Sequence, residues 1–305
     1  MFVEEPFWNV DTAFGLEARR ELLNPRYLFY FCKHFDFERL NKAVTIPSLT
    51  KSDLLKINIE LPTLEAQQEV VDRLLKIEQV IELRRKELQE FDKLIKARFV
   101  EMFGDPEINE KQWPIHKLNE LCNVGSSKRI YQNEQSSEGV PFWRISDLVN
   151  KMDTGMAESG LFIPVGRYDE LKEQGLVPAE GDILVTSRGT LGRCYIVSAD
   201  DCFYFQDGMI SWLSEYKYDI TPLYLQYLFM TQGIKKQIDS MQAGSTVAYL
   251  SIAMLKKLDI MLPDDETQKQ FGVFVGQVDK SKVAIQKALE EAQLLFDSLM
   301  QEYFG

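Results

Sequence analysis

The residues of this chain best suited to covalent or metal chemistry are four cysteines, two histidines and an Asn-Pro dipeptide. None of them falls in a spacing that such chemistry needs. Cys32, Cys122, Cys194 and Cys202 form no CxxC pair, and His34 and His116 complete no zinc-ligand pattern. The expectation is therefore buried free thiols, no metal and no cofactor. Asn24-Pro25-Arg26-Tyr27 is superficially like the Asn-Pro-Pro-Tyr motif that holds a target amine for methyl transfer. However, Arg26 stands where a second proline belongs, a later echo of the segment begins with Thr221, and no Gly-rich strand-to-helix turn for a methyl donor precedes it. The chain has no GxxxxGK[ST] phosphate loop, no carboxylate cluster beside a lysine of the kind nucleases use, and no serine or cysteine paired by motif with either histidine. Recognition through hydrogen bonds and charge is the chemistry left, and a non-catalytic protein is expected.

The elements that would position such groups occur twice. From Ile46 to Gly104 and from Val247 to Gly305 the sequence runs in register without a gap. Leu61-Pro62 meets Leu262-Pro263, and Leu49, Leu54, Lys56, Ile59, Glu65 and Gln67 recur as Leu250, Leu255, Lys257, Ile260, Glu266 and Gln268. The copies close on Phe103-Gly104 and Phe304-Gly305. So long a period excludes a solenoid of short units and points to a duplicated domain followed each time by the same connector. After each Leu-Pro, apolar residues alternate at spacings of four and three, the coiled-coil period. The first seam carries Leu74, Ile77, Ile81, Leu88 and Phe91, with Arg84 and Arg98 at two of its places. The second carries Val275, Val278, Ile285, Leu289 and Phe296, interrupted by Lys282. Each helix would be roughly 55 to 60 Å long at about 1.5 Å per residue. The seam needs a mate: the other copy within the chain, or a second molecule, and periodicity does not choose between them.

Weaker echoes precede each helix. Asn24-Pro25-Arg26-Tyr27-Leu28 resembles Thr221-Pro222-Leu223-Tyr224-Leu225, both read as capped helix starts. Phe7 to Asp11 sits where Phe203 to Asp207 sits, with Asp11 and Asp207 read as turn caps, and the repeat is expected to run strand, helix, strand, long helix. From Trp113 to about Asp201 the second copy has material without a counterpart in the first: strand-like Val140–Ile145, Gly181–Ser187 and Cys194–Val197, punctuated by Gly189 and Gly192. An α+β class is expected.

With 305 residues, 45% hydrophobic and 27% charged, the chain suits about two domains with sizeable cores. No apolar run is long enough to span a membrane, and Met1 to Pro6 lack the basic and apolar regions of a secretory signal, so a cytoplasmic protein is expected. A net charge of −12 excludes a protein that simply coats nucleic acid; any such contact requires a local basic patch.

The duplicated Leu61-Pro62-Thr63-Leu64-Glu65-Ala66-Gln67-Gln68 and Leu262-Pro263-Asp264-Asp265-Glu266-Thr267-Gln268, the two Phe-Gly helix ends, Gly139 to Asp147 and Gly181 to Arg193 together resemble the DNA-specificity subunit of type I restriction-modification systems. The resemblance covers nearly the whole chain. It implies globular recognition domains joined by two long antiparallel coiled-coil helices in a pseudo-two-fold repeat: a partial first recognition domain at 1–62, a first long helix at 63–104, a complete second recognition domain at 105–263 and a second long helix at 264–305. It further implies double-stranded DNA as ligand, modification (methyltransferase) subunits docked on the helices, restriction subunits joining through them, and no catalysis by the chain itself.

Within the recognition loops so implied, side-chain chemistry selects the candidates: guanidinium for guanine, amide for adenine, hydroxyl for phosphate. They are Ser126, Ser127, Lys128 and Arg129 after Gly125; Arg144 and Ser146 after the Phe-Trp pair; Ser187, Arg188 and Thr190; and Gln242, Ser245 and Thr246 around Gly244. Structural roles compete with each: an Arg144–Asp147 ion pair, a turn at Arg188-Gly189, simple solvation of Lys128-Arg129, a plain turn at Gly244, and a core or rim place for Trp143 and Tyr131. Two other functions compete as well. One is a coiled-coil assembly protein that binds no DNA, favoured by the acidic balance; the other is a silent or half-specificity subunit that homodimerises.

Overall fold

The computed structural model describes all residues except 6–7, 11–12, 41–48 and 243–247, so Phe7, Asp11, Gly244, Ser245, Thr246 and the repeat-opening Ile46 and Val247 lie outside the described residues. The chain divides into two compact units, Met1–Asp92 with Asp279–Gly305, and Lys93–Val278. The fold is mixed helix and sheet, with two 40-residue helices, Leu64–Phe103 and Asp265–Phe304.

Nine short strands are described in the second unit: β1 Ile115–Lys117, β2 Asn123–Gly125, β3 Val140–Trp143, β4 Phe162–Ile163, β5 Ile183–Thr186, β6 Cys194–Ile196, β7 Tyr204–Phe205, β8 Ile210–Ser214 and β9 Asp259–Met261. An antiparallel sheet of order β2-β8-β5-β6 holds the centre. All four residues of β5 are buried, which is why Ile-Leu-Val-Thr shows no alternation. Beside it lies β4-β3-β7, where β3 runs parallel to β7, and β1 pairs with β9. Strand β3 stops at Trp143, short of the expected Ile145. The Asp147 carboxylate accepts the Arg144 backbone N–H at 2.8 Å and opens a helix, Ile145–Thr154, that ends on Gly155 at φ 79°. Trp143 is a core residue, stacked on Phe203 at 3.7 Å, whereas Tyr131 is exposed.

The repeated glutamines explain why the two copies match at the helix starts. In the second unit, buried Gln268 accepts from the Thr221 N–H at 2.9 Å and donates to the carbonyls of Asp219 and Pro263, both at 3.0 Å. In the first, buried Gln67 accepts from the Asn24 N–H at 2.8 Å and donates to Leu22 at 3.0 Å and Pro62 at 2.8 Å. Each glutamine thereby binds the start of a long helix to the cap of a short one, Pro222–Phe229 or Pro25–His34.

The first copy departs from the expected strand order: its residues Asn58, Ile59 and Glu60, which align with β9, form no strand. A strand needs a partner for its backbone groups. The partner of β9 is β1, which belongs to the segment without a first-copy counterpart.

Antiparallel pairing of the helices is visible within each unit. In the first, Arg73 donates to Tyr303 at 3.1 Å and Lys282 meets Asp92 at 2.6 Å, so one helix ascends as the other descends. In the second, Arg98 lies over Phe274 and Phe103 packs edge-on to Phe271. Leu74, Ile81 and Phe296 are buried with Tyr27 and Tyr30 of the short helix in the first unit, and Val275 and Val278 are buried in the second. Ile77, Leu88, Phe91, Ile285 and Leu289 are only half-buried. The 3.5-residue period fixes which side faces the mate, but two helices alone cover each other on one side; full burial comes where the short helix adds a third layer.

Asp264 caps the second long helix, accepting the Thr267 N–H at 2.8 Å, and that bond, followed by the Thr267 hydroxyl, holds its carboxyl below the usual carboxylate range. Its depressed pKa makes the stabilisation full above the unfolded value and lost as pH falls through the folded one. Asp264→Ala is expected to lower stability by about 1 kcal/mol at neutral pH, and the difference from the parent in urea unfolding should vanish in strong acid.

Candidate nucleic-acid interface

The candidate loops converge on one segment, Tyr204–Ser211, where β7 turns into β8. Ser126 donates to the Ile210 carbonyl at 3.0 Å and Ser127 to that of Phe205 at 2.7 Å. The Lys128 N–H donates to the Tyr204 hydroxyl at 2.8 Å, and Arg129 Nε meets Asp207 at 2.9 Å. Gln206 N–H reaches the Trp143 carbonyl at 2.9 Å, placing the Arg144 loop alongside, and Ser187 N–H reaches Met209 at 2.9 Å. The Leu250 N–H then donates to Ser187 at 3.0 Å, bringing in the chain beyond Gln242.

The turn bearing Arg188 and Thr190 is closed by the Thr186 hydroxyl, which donates to the Thr190 carbonyl and accepts the Arg193 N–H at 3.0 Å. Gly192, at φ 75°, is needed there because a Cβ would also press on Ile238.

Four candidates are committed to architecture. Ser127 and Ser187 are buried, the latter bonded to Ser211 at 2.8 Å, so neither hydroxyl faces solvent; their polarity fastens loops rather than presenting a donor. Ser126 is half-buried and spent on Ile210. Gln242 spends both ends of its amide on Tyr249, donating to the carbonyl at 2.8 Å and accepting the N–H at 3.0 Å. Lys128, Arg129, Arg144, Ser146, Arg188 and Thr190 are exposed. Among the described residues Lys128 and Arg188 take no ion pair, while Arg144 lies 3.6 Å from Asp147, the expected competing contact. The Arg188 guanidinium sits 5.1 Å over the Tyr249 ring. Asp207 is an ion-pair partner of Arg129 rather than a turn cap.

No described trio of His, Cys, Asp or Glu is placed to hold a metal ion, and no described helix is long and apolar enough to cross a membrane. Cys122 and Cys194 are buried, burial pushing the Cys122 thiol up to about 12. Cys32 is half-buried and Cys202 exposed, against the expectation of burial for all four.

Residues 1–92 and 110–294 match the type I restriction modification DNA specificity domain. The chain belongs to that family. A Haemophilus influenzae protein assigned as a type I restriction enzyme specificity subunit is 28% identical, the alignment covering 97% of this chain and 74% of the relative. The type I restriction enzyme MjaVIII specificity subunit of Methanocaldococcus jannaschii is 24% identical over 91% of this chain and 70% of its own. The fold is shared with a chain solved in a study of assembly and conformational transition of the type I restriction-modification system (TM-score 0.60, 18% identity, 95% of this chain and 73% of that one). It is shared too with the S subunit from M. genitalium (TM-score 0.55, 17% identity, 93% and 73%).

For this specificity-family chain, sequence reasoning found the exposed basic loops but missed the segment that assembles them. Tyr204 and Asp207 hold the Lys128-Arg129 loop, Gln206 meets the Arg144 loop and Ser211 holds the Ser187 loop, whose Arg188 lies over Tyr249. The signal was faint: Asp207 follows a buried aromatic triplet, Phe203-Tyr204-Phe205, and a carboxylate there needs a cation close by.

Proposed function

We propose that this specificity subunit reads duplex DNA with the exposed loops that meet at Tyr204–Ser211. Lys128 and Thr190 bind phosphate, and Arg129, Arg144 and Arg188 offer guanidinium donors to base edges, with Ser146 beside them. On this reading 105–263 is a complete recognition domain and 1–62 a partial one. The helices 63–104 and 264–305 serve as spacer and as docking surface for modification subunits, through which restriction subunits join. The chain itself supplies selection, and its partners supply chemistry. The observation that carries this is the gathering of six exposed basic or hydroxyl groups from three separated loops onto one turn, two of the cations free of ion pairs among the described residues, in a chain with net charge −12. So acidic a protein gains nothing from a basic cluster unless an anion is met there.

Titrating duplex DNA across a range of salt, with the chain alone and with its modification subunits, tests the reading. Affinity is expected to fall steeply with salt, and Lys128→Ala to shallow the log–log slope by about 1 without changing sequence preference. A complex with no preference among duplexes, or with salt-independent affinity, would instead favour a scaffold.

A further inference from the structure

We infer that Tyr249 is a positioning residue for Arg188, holding its guanidinium at the recognition face while leaving its donors free. This rests on the reading that the face meets DNA. The three arginines there are held differently. Arg129 gives its Nε to Asp207 at 2.9 Å, spending charge and a donor, and Arg144 has its Nε 3.6 Å from Asp147, spending charge on that carboxylate. Arg188 is exposed, and its described contact is the Tyr249 ring at 5.1 Å. Attraction to a ring face consumes no N–H and neutralises no charge, so the guanidinium keeps the paired donors that a guanine edge or a phosphate accepts.

Tyr249 is itself fixed. Its N–H and carbonyl are both taken by the Gln242 side chain, a two-point clamp that settles the backbone beneath the ring. The next residue, Leu250, is buried and donates to the Ser187 carbonyl at 3.0 Å, so ring and guanidinium stand on adjoining, mutually bonded strands of chain. The residue preceding the arginine is tied down from both sides, since the Ser187 hydroxyl is bonded to Ser211 at 2.8 Å. A half-buried tyrosine whose backbone is clamped and whose ring carries a lone exposed arginine is a support built for that arginine.

The test selects from a randomised duplex library with the full chain and sequences what is retained, for the parent, Arg188→Ala, Tyr249→Leu, Tyr249→Phe and Gln242→Ala. Arg188→Ala is expected to cut discrimination at one base position by about ten-fold. Tyr249→Leu should cut it at that same position by about three-fold, Gln242→Ala similarly, and Tyr249→Phe should keep it, since the ring and not the hydroxyl bears the cation. Loss after Arg188→Ala with no loss after Tyr249→Leu would overturn the positioning role and leave DNA reading intact. Equal loss at every base position after Tyr249→Leu would also overturn it, as simple collapse of the loop. A parent chain that enriches nothing would overturn the DNA reading and this inference with it.

Discussion

Leu74→Asp is expected to unfold the first unit or to lower its stability by at least about 4 kcal/mol, because a leucine deletion in a core already costs about 2 to 5 and an unpaired buried carboxylate adds to it. Leu74 has no exposed surface and shares its core with Tyr27, Tyr30, Ile81, Phe296 and Met300. The described cation against that cluster, Lys33 over the Phe296 ring, is already paired with Glu78 at 2.8 Å, so the new carboxylate would have to be desolvated or protonated. Leu88→Asp on the same seam is expected to cost much less, about 1 to 2 kcal/mol, since Leu88 is half-buried and water reaches it. Urea unfolding followed by far-ultraviolet circular dichroism measures both. Equal losses would mean that the seam is uniformly packed and that the third layer from Pro25–His34 adds nothing.

Gln268→Leu is the second large effect. The leucine keeps the volume but leaves the Asp219 and Pro263 carbonyls and the Thr221 N–H without the partner each has now. Unsatisfied buried groups cost about 1 to 3 kcal/mol each, so a loss of about 3 to 5 kcal/mol is expected. Gln268→Glu restores the acceptor for Thr221 but faces two carbonyl oxygens with a carboxylate, and should rescue little. Gln67→Leu should behave alike in the first unit, where the same three bonds recur. Ser240→Ala, at an exposed site, is the control, within about 0.5 kcal/mol of the parent. A Gln268→Leu chain as stable as that control would show that the repeated glutamine is not a fastener.

Much of the fold was legible because it was written twice. Gln67 and Gln268 stood out as a recurrence before their bonds were known, and the heptad spacing of Leu74, Ile81, Val275 and Phe296 marked the side of each helix that is covered. The candidate site was legible only by exposure class. Arg188 and Lys128 lie in polar, Gly-punctuated loops, and such loops stay on the surface. Ser127 and Ser187 lie in the same loops and are buried, since a hydroxyl satisfies a backbone carbonyl as readily as a phosphate. The strand expected ahead of the first long helix failed for a different reason: Asn58–Glu60 aligns with β9 and shares its isoleucine, but a strand is a property of two segments.

By itself the sequence determined the duplication, the two long helices with their apolar seams and the short capped helices before them, because these are set by residue order and local geometry. Tertiary structure alone decided which stretches of the seam are fully buried and which only half, and that Tyr204–Ser211 gathers loops from distant stretches. It also decided which polar side chains face water. Those outcomes depend on which surfaces exclude water together, and no spacing along one chain records that.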